Sequence, residues 1–213
     1  MASTTGIMER LRETTRDLHK EAESRPLQRS MARGTLPRGS YAMYLAQLRH
    51  VHAALEDALD GVAGSTAGLA ELFTDERRRV PDLDRDLATF GIDPAGVPVL
   101  PPAEAFIADV RELATENPIS LLGPLYVLEG STNGGKFLAR VLERSLGLES
   151  GDGLSYMDPY GERQPEMWAS FKRSADATEL TPEESDAVIR SARRTFSAIA
   201  GISDSIMPPE QIG

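Results

Sequence analysis

Apolar side chains recur every three or four residues along most of this chain, and no segment shows the strict alternation of a half-buried strand. The clearest case begins at Ser40 and ends at Gly61, where Leu45, Leu48 and Leu55 fall on one helical face. Comparable patterns cover residues 5–24, 69–79, 82–90, 103–116, 118–147, 165–175 and 182–199. The sequence therefore predicts an all-α protein, a bundle of about seven or eight helices.

The Pro-rich link at residues 93–102 separates the two halves of the chain. We interpret it as a loop, because the helices before it carry too little apolar surface to close a core alone. With 213 residues, 40% of them apolar, the chain can bury one substantial core. We expect a single domain over residues 1–213, with its core at about 8–201 and short flexible tails at both ends.

Charge and composition exclude several classes of function. The formal net charge of -10 argues against a general affinity for nucleic acid or anionic membranes. The absence of cysteine rules out disulfides, thiolate metal sites and cysteine nucleophiles. No stretch approaches the roughly 20 apolar residues that a membrane span requires, and no signal peptide is evident. These features predict a cytoplasmic protein that binds neither nucleic acid nor membrane.

Residues 128–138 (LEGSTNGGKFL) raise the question of a phosphate-binding loop. Residues 130–136 match the first seven positions of the pattern GxxxxGK[ST]. Phe137, however, occupies the position of the hydroxyl that would bind Mg²⁺, and no parallel sheet is predicted to carry such a loop. The pattern therefore favours a helix over a P-loop.

As part of a helix, this segment needs a reason for its glycines. Each interior glycine costs about 1 kcal/mol relative to alanine. Gly130 and Gly134 are four residues apart and share one face, where the missing side chains expose the backbone. Either a second helix or a flat ligand could approach there. From this segment alone, close helix packing is the favoured interpretation.

A row of polar residues on the first predicted helix points to a ligand. Its members fall within a narrow arc of one face: Arg12, Arg16, His19 and Glu23. Glu23 can accept the Nδ1–H of His19 and leave Nε2 as a metal ligand, and guanidinium groups bind carboxylates well. The alternative is a solvated face with i, i+4 pairing, since a lone histidine beside an apolar face is usually structural.

A ligand that suits both helices is flat, carries a metal that accepts one imidazole, and bears carboxylates on one edge. Haem has these properties. The rival for an all-α bundle is a di-iron site, which pairs Glu with His three residues later on two helices. None of the three histidines has a glutamate three residues before it. The residues therefore favour haem.

On these residues the chain resembles the haem oxygenases, in particular the soluble bacterial members, over about residues 8–201. The most specific segments are 18–23 (LHKEAE), 123–135 (GPLYVLEGSTNGG), and Tyr160-Gly161 followed by Trp168 and Phe171. The resemblance implies a reaction in which haem, both substrate and cofactor, is cleaved by O2 at a meso carbon to biliverdin, CO and ferrous iron. It also implies an external electron donor, such as a ferredoxin or a flavin reductase.

The resemblance further assigns roles to individual residues. His19 would be the proximal iron ligand and Glu23 its hydrogen-bond partner. Basic residues would contact the haem propionates: Arg12, Arg16 and Lys172. Gly130, Ser131 and Gly134 would lie on the kinked distal helix above the iron. We expect His50, His52, Trp168, Phe171 and Phe196 to be structural, although Phe196 could line the pocket.

One residue departs from the pattern of the family. Many members carry an aspartate after the first distal glycine, where this chain has Ser131. A hydroxyl can hold water but cannot act as a carboxylate. Two alternatives therefore stay open: a haem carrier or sensor that does not open the ring, and a related helical enzyme without haem chemistry.

Overall fold

The computed structural model describes residues 6–62, 64–149 and 151–208. Regular structure in these ranges is helical, without a strand, so the predicted all-α fold is confirmed. The α-helices described there are α1 (Ile7–Glu23), α2 (Pro26–Arg33), α3 (Arg38–Val62), α4 (Leu69–Leu72), α5 (Val80–Thr89), α6 (Pro101–Glu116), α7 (Leu122–Ser131), α8 (Gly135–Leu146), α9 (Gln164–Ala177) and α10 (Pro182–Ile206).

The last helix, α10, packs against both α1 and α7. It begins with the capping box that the sequence suggests: Thr181 Oγ1 accepts from the Glu184 amide at 3.2 Å, and the Thr181 amide donates to Glu184 Oε2 at 2.8 Å. Its buried stripe includes Val188 and Ala192, and it contacts α1, α6 and α7. Because α1 and α7 rest on the same helix, α10 sets their relative positions.

Two segments differ from the sequence prediction. The first helix ends before Pro26, as the sequence predicts, but Pro26 also begins α2, a short helix that was not predicted. Proline suits this position because the N–H that it lacks would have no partner within the helix. The helix predicted over residues 69–79 is limited to α4 and a 3-10 turn at Asp75–Arg77. The chain is therefore not a continuous helix here, and Arg77 and Arg79 are both buried. Apolar periodicity cannot foresee this, because it treats arginine as a surface residue.

One apolar core extends across the Pro-rich link. Helix α3, which precedes the link, packs against α6, which follows it. Leu45 and Leu55 of α3 and Val110 of α6 are almost completely buried, and each such side chain contributes about 1.5–3 kcal/mol through removal from water.

The ends of the chain lie partly beyond this description. Residues 1–5 and 209–213, which belong to the predicted flexible tails, are outside the described residues. The helical structure of α10 continues to Ile206, past the predicted limit of the core. Among the described helices, none combines the length and apolarity needed to cross a membrane.

Gly123 lies where α7 packs against α10. A Cβ atom here would lie 2.1 Å from Ser191 Oγ and 2.5 Å from the Val188 carbonyl oxygen. We expect Gly123→Ala to lower the free energy of unfolding by about 1–3 kcal/mol, because the crowded atoms must move. Chemical denaturation measures this change.

Gly61→Ala in α3 is the matched control. A Cβ atom at this position meets no atom within 4 Å. Alanine should therefore raise the free energy of unfolding by about 0.5–1 kcal/mol, as it restricts the unfolded chain. Equal effects of the two substitutions would show that Gly123 is not a packing glycine.

Candidate functional site

Helix α1 forms one wall of a cavity. It buries its first-turn apolar residues and Thr15 against the bundle, and Thr15 Oγ1 donates to the Leu11 carbonyl at 2.7 Å. The cavity has a volume of about 800 Å³, within the usual range for small-molecule sites. The predicted row on α1 lines it: Arg12, Arg16, His19 and Glu23.

His19 lies in the last part of this wall. Its Nδ1 atom is 3.5 Å from Glu23 Oε2, one helical turn later. Its ring meets the Phe196 ring edge to face, with centroids 5.9 Å apart. The imidazole side chain is 54% exposed, so it is accessible from the cavity. Since Nδ1 faces the carboxylate, Nε2 is the nitrogen available to a ligand.

The second wall is a helix that breaks. Helix α7 ends at Ser131, a 3-10 turn covers Thr132–Gly134, and α8 begins at Gly135. The backbone hydrogen bonding changes at the break, where the Thr132 amide donates to the Glu129 and Gly130 carbonyls. Three successive side chains also donate to carbonyls of α7: Ser131 Oγ to the Leu128 oxygen (2.7 Å), Thr132 Oγ1 to the Glu129 oxygen (2.7 Å) and Asn133 Nδ2 to the Gly130 oxygen (2.9 Å). The Ser-Thr-Asn triplet thus stabilises a kink rather than a continuous helix.

The three glycines on this wall differ in what an added side chain would meet. A Cβ atom at Gly135 would lie 1.7 Å from the Met157 carbonyl oxygen, so this position serves packing. At Gly130 it would make ordinary contact with Trp168 Cη2 at 3.5 Å, and at Gly134 it would meet nothing within 4 Å. Gly130 and Gly134 both line the cavity. Packing within the chain does not explain Gly134, which favours the ligand interpretation there.

Other predicted residues are distributed between the cavity and its surroundings. Ser131 lines the cavity, as do Trp168 and Phe196, which were expected to be structural. Phe171, in contrast, is fully buried in the core. Lys172 is exposed on α9, one turn after Trp168, and is not part of the lining formed by the described residues.

Several lining residues were not predicted. They come from α2, α3, α7 and the loop before α9: Gln28, Met31, Tyr44, Tyr126, Tyr156 and Met157. Helical periodicity marks Tyr44 and Tyr126 as core, because a side chain that faces a cavity and one that faces a neighbouring helix show the same spacing. Only the arrangement of the helices separates the two. The other four lie outside the helices predicted from the sequence.

A buried ionic cluster lies beside the kink. Glu129 is 3.4 Å from Arg77 Nε, and it accepts a hydrogen bond from the Tyr160 hydroxyl at 2.9 Å. Arg79 donates to the same hydroxyl at 2.9 Å. Burial raises the pKa of Glu129, while Tyr160 and the arginines oppose the rise. The cluster joins the end of α7 to the turn before α5. Removal of one partner would leave an uncompensated buried charge and would therefore destabilise this junction.

The site therefore offers an apolar interior, cations on α1, and an imidazole backed by a carboxylate, together with a helix wall that lacks side chains at its kink. These residues fit haem, and the described part of the chain is an all-α fold whose cavity could hold such a group. The family model described as heme oxygenase matches residues 5–203, and the chain belongs to the haem oxygenase family.

Individual relatives agree with this assignment. Heme oxygenase from Takifugu rubripes is 30% identical over 198 residues, which cover 91% of this chain and 72% of the relative. The structure of heme oxygenase from Leptospira interrogans has a TM-score of 0.88 at 25% identity, covering 94% of this chain and 100% of that one.

A solved haem complex shares the fold. Heme oxygenase-1 from Synechocystis sp. PCC6803 in complex with heme has a TM-score of 0.87 at 18% identity, covering 95% of this chain and 93% of that one. The predictions of the family, of its fold and of a haem oxygenase function with haem and O2 are confirmed at the level of the family. The roles of the individual residues stay predictions.

Proposed function

We propose that this protein binds haem between His19 of α1 and the kink at Gly134, and opens it oxidatively to biliverdin, CO and ferrous iron. The observation that carries this proposal is the single cavity shared by the two positions. One wall supplies an imidazole with a free Nε2, and the other supplies backbone without a side chain. A planar ring with a metal at its centre would contact the imidazole on one face and the bare backbone on the other.

Each residue of the α1 wall has a proposed task. His19 Nε2 binds the metal, and Glu23 accepts the Nδ1–H, which fixes the tautomer and the ring orientation. Arg12 and Arg16 bind the propionate carboxylates. Arg16 Nε is 3.5 Å from Asp17 Oδ1, but both side chains are largely exposed, so this pairing is weak and can be exchanged. Lys172 on α9 would add a third cation at the rim.

The distal wall controls what reaches the metal. Bound haem supplies the redox iron and is itself the substrate. The absence of a side chain at Gly134 would leave room for a small diatomic molecule in a cavity whose lining is largely apolar. A neutral imidazole ligand donates less electron density than a thiolate, which would favour cleavage of the O–O bond. With His19 as its ligand, bound haem would not be driven toward that cleavage.

The reaction requires repeated delivery of electrons. We propose that a ferredoxin or a flavin reductase docks at the rim formed by Arg12, Arg16 and Lys172. On a chain with a formal net charge of -10, such a basic rim would orient an acidic donor and make its association dependent on salt.

Aerobic turnover of bound hemin tests the function. The protein is loaded with one equivalent of hemin, and ascorbate or reduced ferredoxin is added in the presence of catalase, which removes free hydrogen peroxide. The Soret band should decay, and chromatography should identify biliverdin. A Soret band that persists without pigment would favour the carrier or sensor, and failure to bind hemin would favour an enzyme without haem chemistry.

A further inference from the structure

Tyr156 is a buried phenol on the distal side of the cavity, and its backbone is fixed by an unusual contact. The fully buried Asp86 carboxylate accepts the Ser155 amide at Oδ1 and the Tyr156 amide at Oδ2, both at 2.8 Å. The next residue, Met157, places its carbonyl against Gly135 at the start of α8. The loop that carries Tyr156 is therefore held against both α5 and the kink.

The side chain of Tyr156 is positioned by His52. The imidazole Nε2 is 3.2 Å from the phenol oxygen, and the rings meet edge to face with centroids 5.4 Å apart. Burial, reinforced by the charge of Arg79, lowers the pKa of His52 to about 3, so the ring is neutral near neutral pH. A neutral imidazole carries one N–H. In the Nε2–H tautomer, which the proposal below requires, His52 would donate to the phenol oxygen and leave the phenol proton for another acceptor.

The other hydroxyls of this wall have already used their protons. Ser131 and Thr132 donate to carbonyls of α7, each at 2.7 Å. Burial raises the pKa of Tyr156, an effect that its interaction with Ser131 partly opposes, so the phenol stays protonated. Two polar side chains are recorded beside the phenol, His52 at 3.2 Å and Ser131. With the Ser131 proton directed to the Leu128 carbonyl, Tyr156 is the hydroxyl on this wall that could donate to a ligand in the cavity when His52 donates to it.

We propose that the Tyr156 hydroxyl is the hydrogen-bond donor to dioxygen bound in the cavity, and that His52 and Asp86 are its positioning residues. This inference rests on the proposed function, because it requires haem in the same cavity. It explains how the pocket can polarise dioxygen although Ser131 supplies no carboxylate. A phenol reaches further than a serine hydroxyl and enters from the loop before α9 rather than from the kinked helix.

Dissociation of diatomic ligands from the ferrous haem complex tests the proposal without turnover. A hydrogen-bond donor stabilises the polar dioxygen ligand more than it stabilises CO. We expect Tyr156→Phe to raise the O2 dissociation rate about tenfold, which corresponds to about 1.4 kcal/mol, with little change for CO. Stopped-flow mixing in the absence of a reductant measures both rates. Tyr126→Phe, which removes a phenol from the side of the cavity near Thr15, should leave the ratio of the rates unchanged.

Two His52 variants provide a second test. His52→Phe removes the N–H that orients the phenol and should shift the O2 rate toward that of Tyr156→Phe. His52→Gln supplies an amide N–H and should restore most of the O2 affinity. A purely structural role would change the O2 and CO rates together.

The outcomes separate this inference from the proposed function. Absence of a Soret band in the wild-type protein would refute haem binding itself. If the wild type binds haem, an O2 rate in Tyr156→Phe within about twofold of the wild-type rate, which is less than one net hydrogen bond contributes, would overturn the role of Tyr156. Equal changes in the O2 and CO rates would overturn it as well.

Discussion

His19→Ala should abolish the spectrum of histidine-ligated haem and, with it, the formation of biliverdin. Loss of the hydrogen-bond partner of a ligand typically costs about 10–100-fold in affinity or activity, so loss of the ligand itself should cost more than about 100-fold. The ring of His19 contacts Phe196 only at its edge, and more than half of its side chain is exposed. The substitution should therefore leave the fold intact, which circular dichroism can verify.

Added imidazole should partly restore the spectrum, because the shortened side chain leaves space for a free ligand. Glu23→Gln should weaken haem binding by about 10–100-fold without abolishing it. His50→Ala is the matched control: His50 lies on α3, with Nε2 3.3 Å from the Val97 carbonyl oxygen, and is not a cavity residue in the described structure. An unchanged Soret band in His19→Ala would remove His19 from the site.

Gly134→Leu should close the distal side of the cavity while the protein stays folded. The backbone of Gly134 has φ -92° and ψ -9°, which any residue can adopt, and a Cβ atom would meet nothing within 4 Å. The leucine side chain therefore projects into the space for the diatomic ligand. Overpacking of about 1–3 kcal/mol corresponds to a loss of CO affinity of about 5- to 150-fold.

The neighbouring glycine supplies the contrast. Gly135→Ala adds one methyl group at a position 1.7 Å from the Met157 carbonyl oxygen. It should therefore lower the free energy of unfolding by at least about 1–3 kcal/mol, although the substituent is smaller than leucine. Thermal or chemical denaturation compares the two variants. Normal CO affinity in folded Gly134→Leu would contradict the distal assignment.

The kink has a local cause, although the apolar pattern predicted one helical segment over residues 118–147 and only the family resemblance implied a kink. Ser131, Thr132 and Asn133 are weak helix formers, and their side chains donate to carbonyls of α7. Their chemistry acts within one turn of the chain. The all-α class and the polar row on α1 have the same origin, since both follow from a period of 3.6 residues.

The roles of the individual glycines could not be separated in this way. Gly134 and Gly135 are adjacent and identical in sequence terms, yet one faces open space and the other meets a carbonyl of a distant loop. Likewise, the sequence pattern marks Arg77 and Arg79 as surface residues. In the folded chain they are buried against Glu129 and Tyr160, which lie far from them in sequence. Such contacts join residues that are far apart along the chain.

The sequence by itself determined the helical class and the pairing of His19 with Glu23, because both depend on spacing within single helices. It indicated the family through the resemblance of several segments along the chain. The tertiary structure alone decided which residues share the cavity, and it brought Tyr156, His52 and Asp86 together from three separate segments. The physical reason is that helical period fixes the face on which a side chain lies, whereas the packing of α1 and α7 on α10 fixes what that face meets.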